Sequence, residues 1–145
     1  MATLVNITSN EIQEFKIGNY KFKCTPYGIY TLEELYRNSP NTSQCRKSIS
    51  NFYKKRMDLR YFSHTKFITL QSYSLIFKQK KCIINVAGEK SYNEFLLDTG
   101  LGIKVPEKLD KEYDFVFHRS QREAKLSKRG LWGFNIAKEC TSSIK

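Results

Sequence analysis

Several residue types are scarce in this 145-residue chain, and each scarcity narrows the options. Only two histidines are present, His64 and His118, and neither has a second His or a Cys at ligand spacing. The four cysteines, Cys24, Cys45, Cys82 and Cys140, are scattered with no CxxC pair, so a zinc site is not expected. A chain of this length needs no disulfide framework, and Cys24 and Cys82 fall in strand-like runs where free cysteine acts as a small hydrophobe. A reducing, intracellular compartment is therefore expected, with mitochondrion and cytoplasm both open. No run approaches the roughly 18 apolar residues of a membrane span. The start, MATLVNITSNE, has neither a basic and apolar leader nor an Arg-rich amphipathic helix. Internal repeats and low-complexity segments are also missing.

What is abundant is positive charge. Lys and Arg number 25 against 14 Asp and Glu, a formal net charge of +11. That balance favours a polyanionic partner, either nucleic acid or an anionic membrane surface, or a place in a basic assembly. A hydrophobic share of 40%, with 14% aromatics, is that of a folded chain, and the length suits one domain over residues 1–145.

In the N-terminal half, residues 13–24 carry the clearest β signal. Phe15 and Ile17, then Tyr20, Phe22 and Cys24, alternate with polar residues around Gly18-Asn19, which predicts a hairpin with a two-residue turn. A third strand is expected through Gly28-Ile29, and a helical turn near Leu32 to Tyr36. Ser43 to Met57 reads as a helix capped by Ser43, with Ile49, Phe52 and Tyr53 on its apolar stripe. Alternation from Lys66 to Tyr73 predicts a fourth strand, and Lys81 to Val86 its partner.

Ser91 to Gly133 reads as two helices. Tyr92, Phe95 and Leu96 fall at helical spacing, and Gly100 stands where a left-handed residue ends a helix. Asp110 can cap the second, whose apolar side holds Tyr113, Val116, Phe117, Ala124 and Leu131, narrowed by Ser120 and Ser127. Gly130 ends it and Leu131-Trp132 follows as a plug. The expected core is Phe15, Ile17, Phe22, Ile29, Ile68, Leu70, Ile84, Leu96, Phe117, Leu131 and Trp132.

The order Asn93-Glu94, a leucine pair, Gly100-Leu101, Ala124-Lys125 and Gly130-Leu131-Trp132 resembles the C-terminal half of the staphylococcal nuclease-like (thermonuclease) family, from about Cys82 to Gly133. Asn51 to Met57 is similar to that family's first helix. The resemblance implies an α+β fold, a five-stranded oligonucleotide-binding-type barrel capped by three helices. Barrel and first helix would span about 12–90, two C-terminal helices about 91–133, and a short tail 134–145.

It also implies a calcium-dependent phosphodiesterase site, in which cations grip a phosphate while carboxylates hold the metal and activate water. Thr25 then stands at the first catalytic Arg and Tyr30 at the metal-binding Asp. Glu33 alone is retained, as general base, and the acids near the first turn shrink to Glu11 beside Asn10. Lys80 stands at the second Arg, or Gln79 or Lys81 if the turn is placed differently. No Arg precedes Arg37. Lysine cannot grip two oxygens with a planar fork. No catalytic residue beyond Glu33 and no metal ligand are assigned, and no cofactor is expected; calcium belongs only to the nuclease alternative.

Basic surfaces remain. Lys78, Lys80 and Lys81 on one turn, with Lys54 and Lys55 on the first helix, are the expected nucleic-acid contacts, and Tyr20, Tyr30 and Tyr73 could stack on bases. Arg119, Arg122, Lys125, Lys128 and Arg129 run along the last helix. The expectation is a nuclease-like domain without catalysis, serving as a binding or structural subunit of a larger assembly with a mitochondrial location as one option. Its partners would be protein, RNA, DNA or anionic lipid. A metal-dependent nuclease and a single-strand nucleic-acid-binding module are the alternatives.

Overall fold

The computed structural model of the chain describes residues 1–144 and is α+β; Lys145, the end of the expected tail, lies outside the described residues. Five strands form one antiparallel sheet: β1 (Ala2–Ile7), β2 (Gln13–Ile17), β3 (Tyr20–Cys24), β5 (Ser72–Lys78) and β6 (Lys81–Asn85), in the order β3-β2-β1-β5-β6. The hairpin around Gly18-Asn19 forms as its alternation predicts, with Phe15 opposite Phe22 and Ile17 opposite Tyr20. Gly18 takes φ 60°, which a residue without Cβ adopts freely.

The sheet stays open; it does not close into the expected barrel. Its two edges meet at one point. Cys82 N donates to Thr25 O and Tyr27 N to Cys82 O, both at 2.9 Å. Pro26, between them, has no N–H to extend the ladder. The segment expected as a third barrel strand instead forms β4 (Ile29–Thr31), which leaves the sheet and pairs with β7 (Gly102–Lys104).

Helices occupy the rest. Thr31 caps α1 (Leu32–Arg37) and Ser43 caps α2 (Gln44–Lys55), each through its side-chain oxygen. Two short turns follow, α3 (Met57–Arg60) and α4 (Phe62–Lys66). Ser91 and Glu94 form a reciprocal capping box on α5 (Tyr92–Asp98). The long helix α6 (Lys111–Leu126) buries Phe117, Ser120 and Ala124. Asp110 sits at its N-cap, but its carboxylate turns to Lys78 Nζ at 2.7 Å and makes no cap bond. Gly100 and Gly130 lie backbone to backbone, where Leu131 N donates to Gly100 O at 2.9 Å. A Cβ on Gly100 would fall 2.2 Å from Arg129 O. The last elements among the described residues are α7 (Ile136–Glu139) and a short 3-10 turn (Thr141–Ser143).

Several sequence expectations are corrected. The strand placed at Lys66–Tyr73 begins six residues later, because α4 takes Phe62–Lys66 and a tight turn follows. In that turn Leu70 N donates to Leu4 O and Leu70 has φ 72°, which throws Ile68 and Leu70 into solvent and out of the core. Ile17 is also exposed, since it lies at the hairpin tip beyond the packed part of the sheet. Leu131 is the buried plug, whereas Trp132 is half-buried under Lys125 Nζ, 4.9 Å from its ring. The first strand, Ala2–Ile7, was not anticipated; its core face rests on Ala2 and Leu4.

The cysteines are not free. Cys24 pairs with Cys82 and Cys45 with Cys140, each sulfur buried in the core. The first bond ties the open edges of the sheet, β3 to β6. The second holds the C-terminal segment on α2, beside Ser48 Oγ donating to Glu139 at 2.6 Å. Pairing of this kind speaks to cross-linking and not to compartment.

Asn93 carries the junction between sheet and helices. Fully buried, its Nδ2 donates to Tyr27 O and Cys82 O at 3.1 Å, and its Oδ1 accepts from Ile84 N at 3.2 Å. Asn93→Leu leaves those backbone groups without this partner and should cost about 2–4 kcal/mol, read as a lowered denaturation midpoint. An unchanged midpoint would show the junction held by other contacts.

Candidate functional site

The site grows from two carboxylates on neighbouring elements. The turn after β1 is stitched down by Asn10, whose Nδ2 donates to Leu59 O at 2.7 Å and whose Oδ1 accepts from Ser63 N at 2.9 Å. That anchoring buries Glu11 almost completely. Arg37, in the last turn of α1, closes on both its oxygens at 2.5 and 2.8 Å, a bidentate fork that lysine could not make. The exchange holds the Arg37 guanidinium above its usual range, with the Glu11 hydrogen bond as the main cause.

Glu33, one turn earlier on α1, accepts the Tyr53 hydroxyl at 2.7 Å. Its other oxygen, Oε1, is shielded from solvent and has no hydrogen-bond partner. Burial raises the carboxyl above its ordinary 4.5, against the lowering pull of Tyr53. Tyr53 is pushed well up in turn, by desolvation first and the Glu33 charge second. Beside it, Glu34 is raised by desolvation and drawn back by Lys81.

Glu33, Arg37 and Tyr53 line a cavity of about 680 Å³ between the Thr8–Ser9 turn, α1, α2 and α3–α4, with Glu11 behind Arg37. Glu33 and Tyr53 stand in its wall, with Arg37, Lys54, Arg60 and His64 as its cations and imidazole, and Tyr36 and Tyr61 as its other rings.

Of the residues expected in a site, the structure gathers Glu33, Glu11 and Lys54, and brings Lys81 close enough to act on Glu34. It does not gather Lys80, which sits on the β5–β6 turn and lines no part of the Glu33 cavity. Lys78 is engaged by Asp110. Lys55 turns to the C-terminal segment, 6.0 Å over the Phe134 ring, so Lys54 and Lys55 serve different surfaces. Thr25 meets Cys82 through its backbone, Tyr30 is a strand residue paired with Ile103, and Tyr73 is buried. Sequence reasoning missed Arg37 and Tyr53 as site members. Arg37 was visible only as the first Arg of the chain, and Tyr53 only as a member of a helix stripe.

A calcium ion needs six to eight oxygens. Here both Glu11 oxygens are taken by Arg37, one Glu33 oxygen by Tyr53, and the other is shielded. Among the described residues no group of three or more His, Cys, Asp and Glu side chains is arranged for a metal. These donors do not fit the ion that the resemblance implies. No model of a known protein family matches the chain, and no curated protein matches it.

Two outcomes follow from the geometry. Because folding raises the Glu33 pKa, the folded state holds that proton more tightly, so the contribution favours folding at acid pH. It is lost as pH rises from 4.5 through the raised value. Glu33→Gln keeps an acceptor for Tyr53 and removes the titration, so the wild type should lose melting temperature relative to this variant as pH rises from about 4 to about 8. Parallel curves would remove Glu33 as the cause. Arg37→Met leaves Glu11 buried and unpaired and should lower the denaturation midpoint by the equivalent of about 2–3 kcal/mol, somewhat less than a fully buried pair loses because Arg37 itself is half in solvent.

Proposed function

We propose that this chain is a catalytically degenerate nuclease-like domain that acts as a non-catalytic binding or structural subunit of a larger assembly. One observation carries the reading. The two acids nearest to the positions of a phosphodiesterase site are each committed inward, Glu11 to Arg37 and Glu33 to Tyr53. An acid closed on both oxygens by a guanidinium cannot gather a metal. A carboxyl raised by burial is a poorer partner for one than an exposed carboxylate. Thr25 and Tyr30 bring neither guanidinium nor carboxylate.

The finer fold assignment belongs to the same proposal. The strand order, with β3 and β6 brought together by a parallel bridge and the Cys24–Cys82 bond, supports an oligonucleotide-binding-type barrel left partly open. The Asn93-centred junction and the Gly100–Gly130 contact give physical roles to the residues on which the nuclease-like resemblance rests. The proposed setting is intracellular, mitochondrial or cytoplasmic, with protein subunits as the main partners. Among the described residues no helix is long and apolar enough to cross a membrane.

The test is catalytic and physical together. Purified chain incubated with calcium, magnesium or manganese should leave single-stranded DNA, duplex DNA and RNA uncut above background, and the endogenous protein should migrate in a particle far larger than 17.0 kDa. Divalent-dependent cleavage that vanishes in Glu33→Gln would overturn the reading in favour of the nuclease alternative.

A further inference from the structure

The turns of the two long hairpins emerge at the same end of the sheet. Phe22 of β3 and Phe77 of β5 meet there with ring centroids 5.5 Å apart. A file of rings leads outward from the core: Phe15 fully buried, Phe22 at 6.2 Å from it, then Tyr20 at 5.7 Å from Phe22. The outer members are left in solvent, with Tyr20 70% exposed, Phe77 54% and Ile17, opposite Tyr20, 50%. A cluster of large apolar side chains at a projecting tip marks an interaction site.

The charge around that tip is one-sided. The pleat sends Lys16 and Lys21 to the other face of the same hairpin, and they lie directly opposite each other in register, where like charges repel. Glu14 answers Lys23 at 3.9 Å and Asp110 answers Lys78, but Lys16, Lys21 and Lys80 have no carboxylate partner among the described residues. Gln79 and Lys80 hold φ of 51° and 68° in a two-residue turn, a conformation that Asn-Gly adopts with less strain. Stability is given up at both turns where lysine is displayed.

We infer that the paired hairpin tips are a docking surface for an anionic lipid bilayer, with Tyr20, Ile17 and Phe77 entering the headgroup boundary and Lys16, Lys21 and Lys80 meeting lipid phosphates. The alternation decides between polyanions. An oligonucleotide needs ring faces and cations along one track. Here the rings lie on one face of the hairpin and Lys16 and Lys21 on the other. A bilayer surrounds a tip and engages both faces at once, and aromatic side chains with flanking lysines are what its interface accommodates. The surface lies outside the Glu33 cavity, so it stands whether or not that site is catalytically silent.

The test uses the full chain and phosphatidylcholine vesicles with or without about 30 mol% phosphatidylserine. Co-sedimentation is expected with the anionic vesicles only, and is to be lost in high salt. Lys21→Ala with Lys80→Ala should lower partitioning roughly thirty-fold, from about fivefold per lysine at the surface. Tyr20→Ser with Phe77→Ser should abolish it while the melting temperature holds. Tyr20→Trp reports insertion directly: on anionic vesicles its emission should shift to the blue beyond the constant Trp132 background. No partitioning of the wild type, or partitioning indifferent to Tyr20 and Phe77, overturns the inference. Loss of vesicle binding alongside tip-dependent retention of a thymidine oligonucleotide would assign the surface to single-stranded nucleic acid instead.

Discussion

The Asn93 carboxamide is the constraint on which the arrangement of this protein depends. It is fully buried, and its three hydrogen bonds reach three backbone positions, two on β6 and one on the segment that follows β3. Ile84 and Cys82 belong to β6, and Tyr27 to the segment leaving β3. One side chain at the start of α5 thus fixes the helix against the place where the open sheet brings its edges together. Cys24–Cys82 lies at the same seam. The helical half then builds outward from α5: Leu101 N returns to Leu96 O, Gly100 receives Leu131, and α6 closes over the sheet with Phe117.

The cavity beneath α1 depends on that frame at second hand. Tyr92, next to Asn93, sends its hydroxyl to Asn10 O at 2.7 Å and so helps to hold the turn that carries Glu11. With that turn fixed, Arg37 closes on both oxygens of Glu11 and Tyr53 on one oxygen of Glu33. The same polar atoms that could in another setting hold a metal serve here to join α1, α2 and the first turn. Buried acids with internal partners stabilise a fold only while every partner remains in place.

The chemistry and the charge are thereby separated. Glu11 and Glu33 turn inward beside the cavity, while Lys16, Lys21 and Lys80, with the exposed rings of Tyr20 and Phe77, stand at the hairpin tips. With a net charge of +11, the chain combines inward-bonded Glu11 and Glu33 with hairpin tips whose Lys16, Lys21 and Lys80 lack carboxylate partners among the described residues, and the two proposals above rest on these features in turn.

Local patterns were sufficient for the hairpin at Gly18-Asn19, for α2 with its Ser43 cap, for β6 and for the two helices after Ser91. In each case a short-range period or a capping residue settles the backbone without help from distant contacts. Other features needed the tertiary structure. Lys66–Tyr73 alternates like a strand, but α4 and the left-handed Leu70 break it, and the turn is held by bonds to Leu4 of β1 and to the Tyr73 hydroxyl. Pairings of Cys24 with Cys82 and Cys45 with Cys140 span 58 and 95 residues, distances over which spacing carries no signal. Glu33 could be marked from the sequence as an acid at a telling position. Its burial and its bond to Tyr53 could not, because that hydroxyl lies 20 residues away, and the neighbouring Arg37–Glu11 pair spans 26. By itself the sequence determined the elements whose signals lie within a few residues. Only the folded chain decided which acids are answered and which cations are left exposed, since partnering in three dimensions depends on contacts that the linear order does not encode locally.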